Sequence, residues 1–184
     1  MNNLVIFEGQ DQSGKSSIAQ SLAKRIGYSY FKNPSEKEQF FVDDKRVAWI
    51  IEGKYLFSLV AQGVINKVIL DRHLPSEYAY SYAYGRKTDG AKIVEFDAKL
   101  AELGAIIIYC FKDSYDGYKD WAVKQEDRAK LVEGYELYLQ QTRMPFLRLN
   151  TTDQNLENQI DAITFFMRQQ IYNGWYWPEG GSKE

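Results

Sequence analysis

The segment Gly9-Gln-Asp-Gln-Ser-Gly14-Lys15-Ser16 constrains this chain more than any other, because of what stands on either side of it. The apolar run Leu4 to Phe7 leads into it. Behind it Ile18, Leu22, Ala23 and Ile26 recur at helical spacing until Gly27 stops the pattern. A glycine-rich loop between a buried strand and an amphipathic helix is the setting of a phosphate-binding loop. Gly9 and Gly14 permit backbone turns that a Cβ would hinder, so that successive N–H groups face phosphate oxygens. The helix adds its partly positive N-terminus. In such a loop Lys15 bridges the β- and γ-phosphates of ATP and the Ser16 hydroxyl ligates Mg2+, with Gln12, Ser13 and Ser17 beside them.

The remaining sequence continues the same alternation. Tyr28 to Phe31, Lys67 to Leu70, Ala105 to Phe111 and Phe146 to Leu149 read as further strands. Between them Glu36 to Gln62 (interrupted by Gly53), Glu77 to Tyr84, Ala91 to Leu103, Asp127 to Gln141 and Leu156 to Ile171 carry helical periods. Strands alternating with helices specify an α/β fold: a five-stranded parallel sheet with helices on both faces, a three-layer sandwich of the P-loop NTPase type. Lys112 to Glu126 lacks a sustained apolar period and carries Asp113, Ser114, Asp116, Gly117 and Asp120, so a short lid is expected over about 112–127. At 184 residues the chain is expected to form a single domain over 1–184, ending in an aromatic tail over 172–184 that docks Trp175 and Trp177 on the body or on a partner subunit.

Composition narrows the function classes. A net charge of −2 gives no broad basic field, so nucleic acid is not expected as a partner. The start lacks a basic and apolar leader, and no apolar run approaches membrane-spanning length, so a cytoplasmic protein away from membranes is expected. The lone cysteine, Cys110, lies in an apolar run and reads as a buried thiol.

An acidic residue at the end of a neighbouring strand completes a phosphate loop's Mg2+ site, and Asp71 after Lys67-Val-Ile-Leu supplies one. The residues beyond Asp71 are more specific. Asp71-Arg72-His73, then Ser76 and Ala79-Tyr80, resembles the thymidylate kinase segment in which Asp-Arg-Tyr or Asp-Arg-His precedes Ser and Ala-Tyr at the same spacing. Phe7-Glu8-Gly9-Gln-Asp11 is similar to that family's entry to its phosphate loop. Asp127-Arg128 with Glu133-Gly134-Tyr135 resembles its helix after the lid.

The resemblance implies a nucleoside monophosphate kinase that moves the γ-phosphate of ATP onto a deoxynucleoside 5′-monophosphate, most like dTMP or a related, modified deoxypyrimidine. It implies Arg72 holding the acceptor phosphate and the transferring group, and Asp11 between the two sites, toward the acceptor sugar. Ser76, Glu77 and Tyr80 would face the acceptor, with Phe40 or Phe41 stacking and Arg46 contacting the base. Asn150-Thr151-Thr152 is the adenine-side loop by position, and a homodimer is implied. His73 reads as packing or orientation, because a phosphate acceptor needs no general base.

The chain departs from the family at two places. Lys32-Asn33-Pro34-Ser35 replaces Arg-Glu-Pro-Gly-Gly-Thr, so Lys32 neutralises a phosphate without gripping it bidentately. Gln12 stands where some members carry an arginine, so cations are expected from Lys112, Lys119, Lys124 or above all Arg128 as the lid closes. Two other readings stay open: a kinase with a hydroxyl acceptor, a deoxynucleoside or a modified base in DNA, using Glu8, Asp11 or Glu77 as base; and a non-catalytic nucleotide-binding module.

Overall fold

Five segments of four to six residues pair into one sheet in the computed structural model, which describes residues 4–32, 62, 66–87, 89–115, 123, 125–152 and 155–172. Strands β1 (Leu4–Glu8), β2 (Ser29–Lys32), β3 (Val68–Asp71), β4 (Ile106–Phe111) and β5 (Phe146–Asn150) lie in the order β2-β3-β1-β4-β5. Every pairing is parallel. Helices α1 (Lys15–Ile26), α2 (Leu74–Ala83), α3 (Gly90–Glu102), α4 (Arg128–Gln141) and α5 (Leu156–Tyr172) cover it.

Strand residues alternate between the two faces, and each face builds its own core. Leu4, Ile6, Leu70, Ile107 and Tyr109 pack with residues of α2, α3 and α4, including Leu74, Phe96 and Tyr138. Val5, Phe7, Ile69, Ile108 and Cys110 pack with Ile18 and Leu22 of α1 and Ile160, Ile163 and Met167 of α5. Burial on both faces is why β1, β3 and β4 read as continuous apolar runs rather than as alternating ones. The three-layer α/β fold expected from the sequence is the fold observed. No helix among the described residues is long and apolar enough to cross a membrane.

Boundaries moved where local chemistry overrode periodicity. Helix α2 begins at Leu74, three residues before the expected Glu77, because Pro75 sits in the first turn, where its missing N–H costs nothing. Helix α3 begins at Gly90 after Asp89, whose carboxylate accepts from Lys92 N at 3.2 Å. Gly27 closes α1 at φ 71°, its N–H bonded to Ala23 O, as the sequence suggested. Residues 116–122 and 124 of the expected lid lie outside the described residues. So do residues 36–61 of the helical stretch expected over 36–62, and the tail beyond 172. Val123 is buried with Ala83 and Leu131, and Gln125–Asp127 forms a single 3-10 turn into α4.

Two close approaches fix what meets at the carboxyl ends of the strands. A Cβ on Gly9 would stand 2.1 Å from Cys110 O, so only glycine lets the loop leave β1 against β4. A Cβ on Gly134 would stand 2.8 Å from Ala79 Cα, so α2 and α4 touch backbone to backbone. The second contact carries Tyr135 to the end of β3.

Candidate active site

The loop after β1 is wound by three residues with positive φ: Gly9 at 133°, Gln12 at 68° and Gly14 at 79°. Gly14 immediately precedes α1, makes no side-chain cap, and is followed by no acidic residue in the first turn. The first N–H groups of a helix have no intrahelical partner, so this end of α1 is open to an anion. Lys15 is 5% exposed, and its Nζ donates to Gln10 O at 3.3 Å while lying 3.6 Å from Asp11 Oδ1. Burial, then the neighbouring Arg72 charge, lower its pKa against the pull of Asp11. From the far side Thr151 Oγ1 donates to Ser13 O at 2.8 Å and to Phe111 O at 3.0 Å, tying the loop to β4 and β5.

Ser16 and Asp71 meet, as expected from a loop beside a strand-end carboxylate. The register sets Phe7 against Asp71, and Ser16 Oγ donates to Asp71 Oδ2 at 2.5 Å. Tyr30 of β2 donates to the same oxygen at 2.6 Å. Among the described residues, buried Asp71 Oδ1 has no hydrogen-bond partner. A hydroxyl beside an unclaimed carboxylate oxygen suits Mg2+, which takes few protein ligands and completes its shell with phosphates and water. No group of three or more His, Cys, Asp or Glu among the described residues is arranged to hold a metal by itself.

Arg72 occupies the left-handed region at φ 74°, a conformation costly for a residue with a Cβ. Its backbone N–H is held by Phe7 O at 2.9 Å, and its guanidinium turns back across the loop. Nη1 donates to Ser76 Oγ at 3.0 Å and to Tyr135 OH at 3.1 Å. Nη2 donates to Asp11 Oδ1, while Tyr80 lies under the guanidinium at 5.3 Å and donates its own hydroxyl to Asp11 Oδ2 at 3.1 Å. One carboxylate oxygen thus faces both the loop lysine and the strand-end arginine. Burial pushes Asp11 upward, but Arg72 and then Lys15 outweigh it and hold the carboxyl below its ordinary range.

Beneath Arg72 lies Glu8, fully buried, accepting from His73 N and from Ser76 Oγ at 2.5 Å each. Desolvation raises its pKa from the ordinary 4.5 to about 7, with Arg72 opposing. The folded state therefore binds this proton more tightly than the unfolded chain, and the stabilisation, full below 4.5, is lost as the pH rises through 7. Glu8→Gln keeps the neutral shape and should gain stability over the parent chain by roughly 3 kcal/mol between about pH 5 and pH 8. Denaturant melts of both proteins at the two pH values measure this. An unchanged gap would mean that Glu8 is ionised throughout. Burial lowers His73 to about 4, leaving a neutral imidazole at the head of α2.

The other sequence candidates are distributed as follows. Arg128 is buried at the start of α4 against the loop: its Nη1 donates to Gln10 Oε1 at 3.5 Å, Gln10 Nε2 donates to Arg128 O at 3.0 Å, and Tyr115 stacks at 5.1 Å. Asn150 donates to Asp113 Oδ1 at 2.8 Å and accepts from Thr152 N at 2.9 Å, joining the ends of β4 and β5. Lys32, exposed, pairs in register with Asp71. Ser76 and Tyr80 reach the Arg72 cluster, whereas Glu77 accepts from Ser81 Oγ at 3.3 Å along its own helix. Phe40, Phe41, Arg46, Lys119 and Lys124 lie outside the described residues. Sequence reasoning missed Gln10, which fills a position open to any residue in the loop pattern. It also missed Tyr30, whose reach to Asp71 depends on a strand register that no local signal sets.

The sheet is parallel and ordered around β1, with the glycine loop and the Asp71-Arg72 pair at its carboxyl edge, and its fold is similar to that of solved nucleotide kinases. No protein-family model matches the chain, and no curated protein sequence does either. Solved structures do. The YorR protein from Bacillus subtilis, crystallised with phosphorylated GDP, is similar at a TM-score of 0.67 and 18% identity over 92% of this chain and 98% of that one. Thymidylate kinase from Candida albicans is similar at 0.57 and 17%, covering 94% and 93%. Deoxyadenosine kinase from M. mycoides with bound dCTP is similar at 0.54 and 20%, covering 90% and 98%.

Proposed function

We propose that this chain transfers the γ-phosphate of ATP to the 5′-phosphate of a deoxynucleoside monophosphate, dTMP or a related deoxypyrimidine nucleotide. The observation that carries the reading is the convergence of Lys15 and Arg72 on one oxygen of Asp11. A single nucleotide needs only the loop and its lysine. A second cation, fixed from another strand and facing the first, suits a phosphate that passes between two polyanions.

In this reading the loop amides and Lys15 hold the β- and γ-phosphates, and Ser16 and Asp71 would hold Mg2+, which would supply charge neutralisation at the phosphates. An oxygen of the acceptor phosphate attacks the γ-phosphorus as the bond to the bridging oxygen breaks, leaving ADP and a nucleoside diphosphate. Arg72 orients the attacking oxygens, with Arg128 beside the loop as a further cation. No proton has to leave the attacking oxygen, which is already anionic.

Carboxylate chemistry favours this acceptor over a hydroxyl. A hydroxyl needs a base within reach, but Glu8 is fully buried beneath Arg72 with His73 N and Ser76 Oγ on its oxygens, and Glu77 accepts from Ser81 along its own helix. Asp11 is held by Arg72 and Tyr80 and is a weakened base. Incubation with ATP, Mg2+ and a panel of nucleosides, nucleoside monophosphates and DNA, resolved by mass, tests the reading. Deoxynucleoside monophosphates should gain one phosphate; gain by hydroxyl acceptors alone would overturn it, and gain by none would leave a binding module.

A further inference from the structure

The buried hydroxyl of Tyr135 stands where the donor loop and the strand-end arginine meet, and no part of the reaction above uses it. Its ring is 0% exposed, tilted against Tyr109 at a centroid distance of 5.2 Å. The hydroxyl donates to Gly9 O at 3.2 Å and accepts from Arg72 Nη1 at 3.1 Å, with Ser76 Oγ 3.0 Å away. It thus bonds to the loop backbone and to the guanidinium at once.

Arg72 has a second tie to the loop, through Asp11, but the two ties differ in what they withstand. Asp11 is an anion whose side chain is 30% exposed. Incoming phosphates carry the same charge toward the same two cations and compete with it. Tyr135 is neutral and sealed from water, so an arriving anion has nothing to exchange with it. Its position is also rigidly given, because neighbouring Gly134 presses against Ala79 of α2.

We infer that Tyr135 is a positioning residue whose hydroxyl holds Arg72 in place when donor phosphates draw Asp11 away, so that filling the donor site leaves the guanidinium both freed and oriented for the acceptor. The inference rests on the proposed role of Arg72 at the acceptor. Proton counting agrees with it. Tyr135 and Ser76 have one hydroxyl proton each, and these go to Gly9 O and Glu8 Oε2, which leaves both hydroxyl oxygens as acceptors for Arg72.

The consequence is thermodynamic coupling: each substrate should tighten the other by the same factor. The test titrates dTMP, or the best monophosphate of the acceptor panel, into the protein with and without a saturating non-hydrolysable ATP analogue. In the parent chain the analogue should tighten the monophosphate by about tenfold or more. Tyr135→Phe should bring that factor near one and lower kcat by about tenfold or more, while affinity for the analogue alone stays within about threefold. A second variant, with p-aminophenylalanine at 135, keeps a donor for Gly9 O but is a poor acceptor for a guanidinium. It should fold even if the Phe variant does not, and it should also lose the coupling. A role confined to packing would lower the melting temperature and leave the coupling factor unchanged. Coupling retained in the variants, or absent from the parent chain while the monophosphate binds, would overturn the inference and leave the proposed function standing. A parent chain that binds no monophosphate at all would overturn both.

Discussion

Lys15→Ala is expected to reduce phosphoryl transfer by about 10^3-fold or more while shifting the melting temperature by only about 3 °C. The two magnitudes separate because the side chain does little for the fold. Lys15 is the first residue of α1, where alanine is an excellent helix former, and its ammonium donates a single backbone bond, to Gln10 O. Removing a buried cation also recovers its desolvation cost, which offsets the lost attraction to Asp11. Catalysis has no such compensation. Charge developing on the transferring phosphate would lose its one fixed cation from the loop. Gln12, at φ 68°, brings an amide where an arginine would have brought a second. Turnover at saturating ATP together with a thermal melt measures both quantities. Near-normal turnover would refute the assignment of the loop.

How far the sequence anticipated the structure depends on the range of the interactions involved. Strand-loop-helix at Leu4 to Ile26 is local chemistry: apolar run, glycines, then helical period, each legible in one window. Asp71 and Ser16 are 55 positions apart, yet their meeting was foreseeable, because a parallel sheet brings the ends of adjacent strands together. The cluster under Arg72 was legible only in part. The sequence pointed to Asp11, Ser76 and Tyr80, but nothing local shows that Asp11 bridges two cations or that Glu8 is sealed beneath them. Those facts come from the register of β1 against β3 and from the crossing of α2 with α4. The position of Arg128 teaches the same lesson. A residue expected to arrive with a lid is held against the loop by Gln10, through a contact spanning 118 positions.

Side-chain exposure adds a limit to periodicity. Helix α4 has little amphipathic contrast, with Tyr135 and Tyr138 buried on a helix that also carries exposed Val132. Its two buried hydroxyls serve different purposes: Tyr138 donates to Asp97 Oδ1 at 2.7 Å, closing the end of the helix with Thr142 and Arg143 N, whereas Tyr135 reaches the site. Hydroxyls need partners when buried, so an excess of tyrosine over phenylalanine, 14 to 10, signals polar networks inside the core before any is seen. Which network borders the candidate site is decided by its neighbours, and for Tyr135 these are Arg72 and Gly9.

Arg72→Ala should lower turnover by about 10^3-fold with ATP affinity within about threefold of the parent chain, and should also cost the fold roughly 3 kcal/mol. The stability loss comes from the groups that the guanidinium leaves behind. Ser76 Oγ and Tyr135 OH lose a donor in a buried place, and Asp11 keeps Lys15 and Tyr80, which holds the penalty toward the low end for a broken buried pair. Arg72→Lys separates the two effects. It restores one positive charge but cannot donate to Asp11 on one side and to Ser76 and Tyr135 on the other, so it should recover part of the stability, that of the pairing with Asp11, and little of the rate. Neither variant relieves the left-handed backbone at φ 74°, which lysine and alanine tolerate no better than arginine. The difference between them therefore reports the guanidinium and not the turn. Kinetics at saturating ATP, ATP-analogue binding and denaturant melts on the three proteins give the answer. Weak ATP binding with turnover preserved at saturation would move Arg72 to the donor side. Equal rates for the lysine variant and the parent chain would mean that charge suffices, and that the fork of hydrogen bonds holding Arg72 serves only the fold.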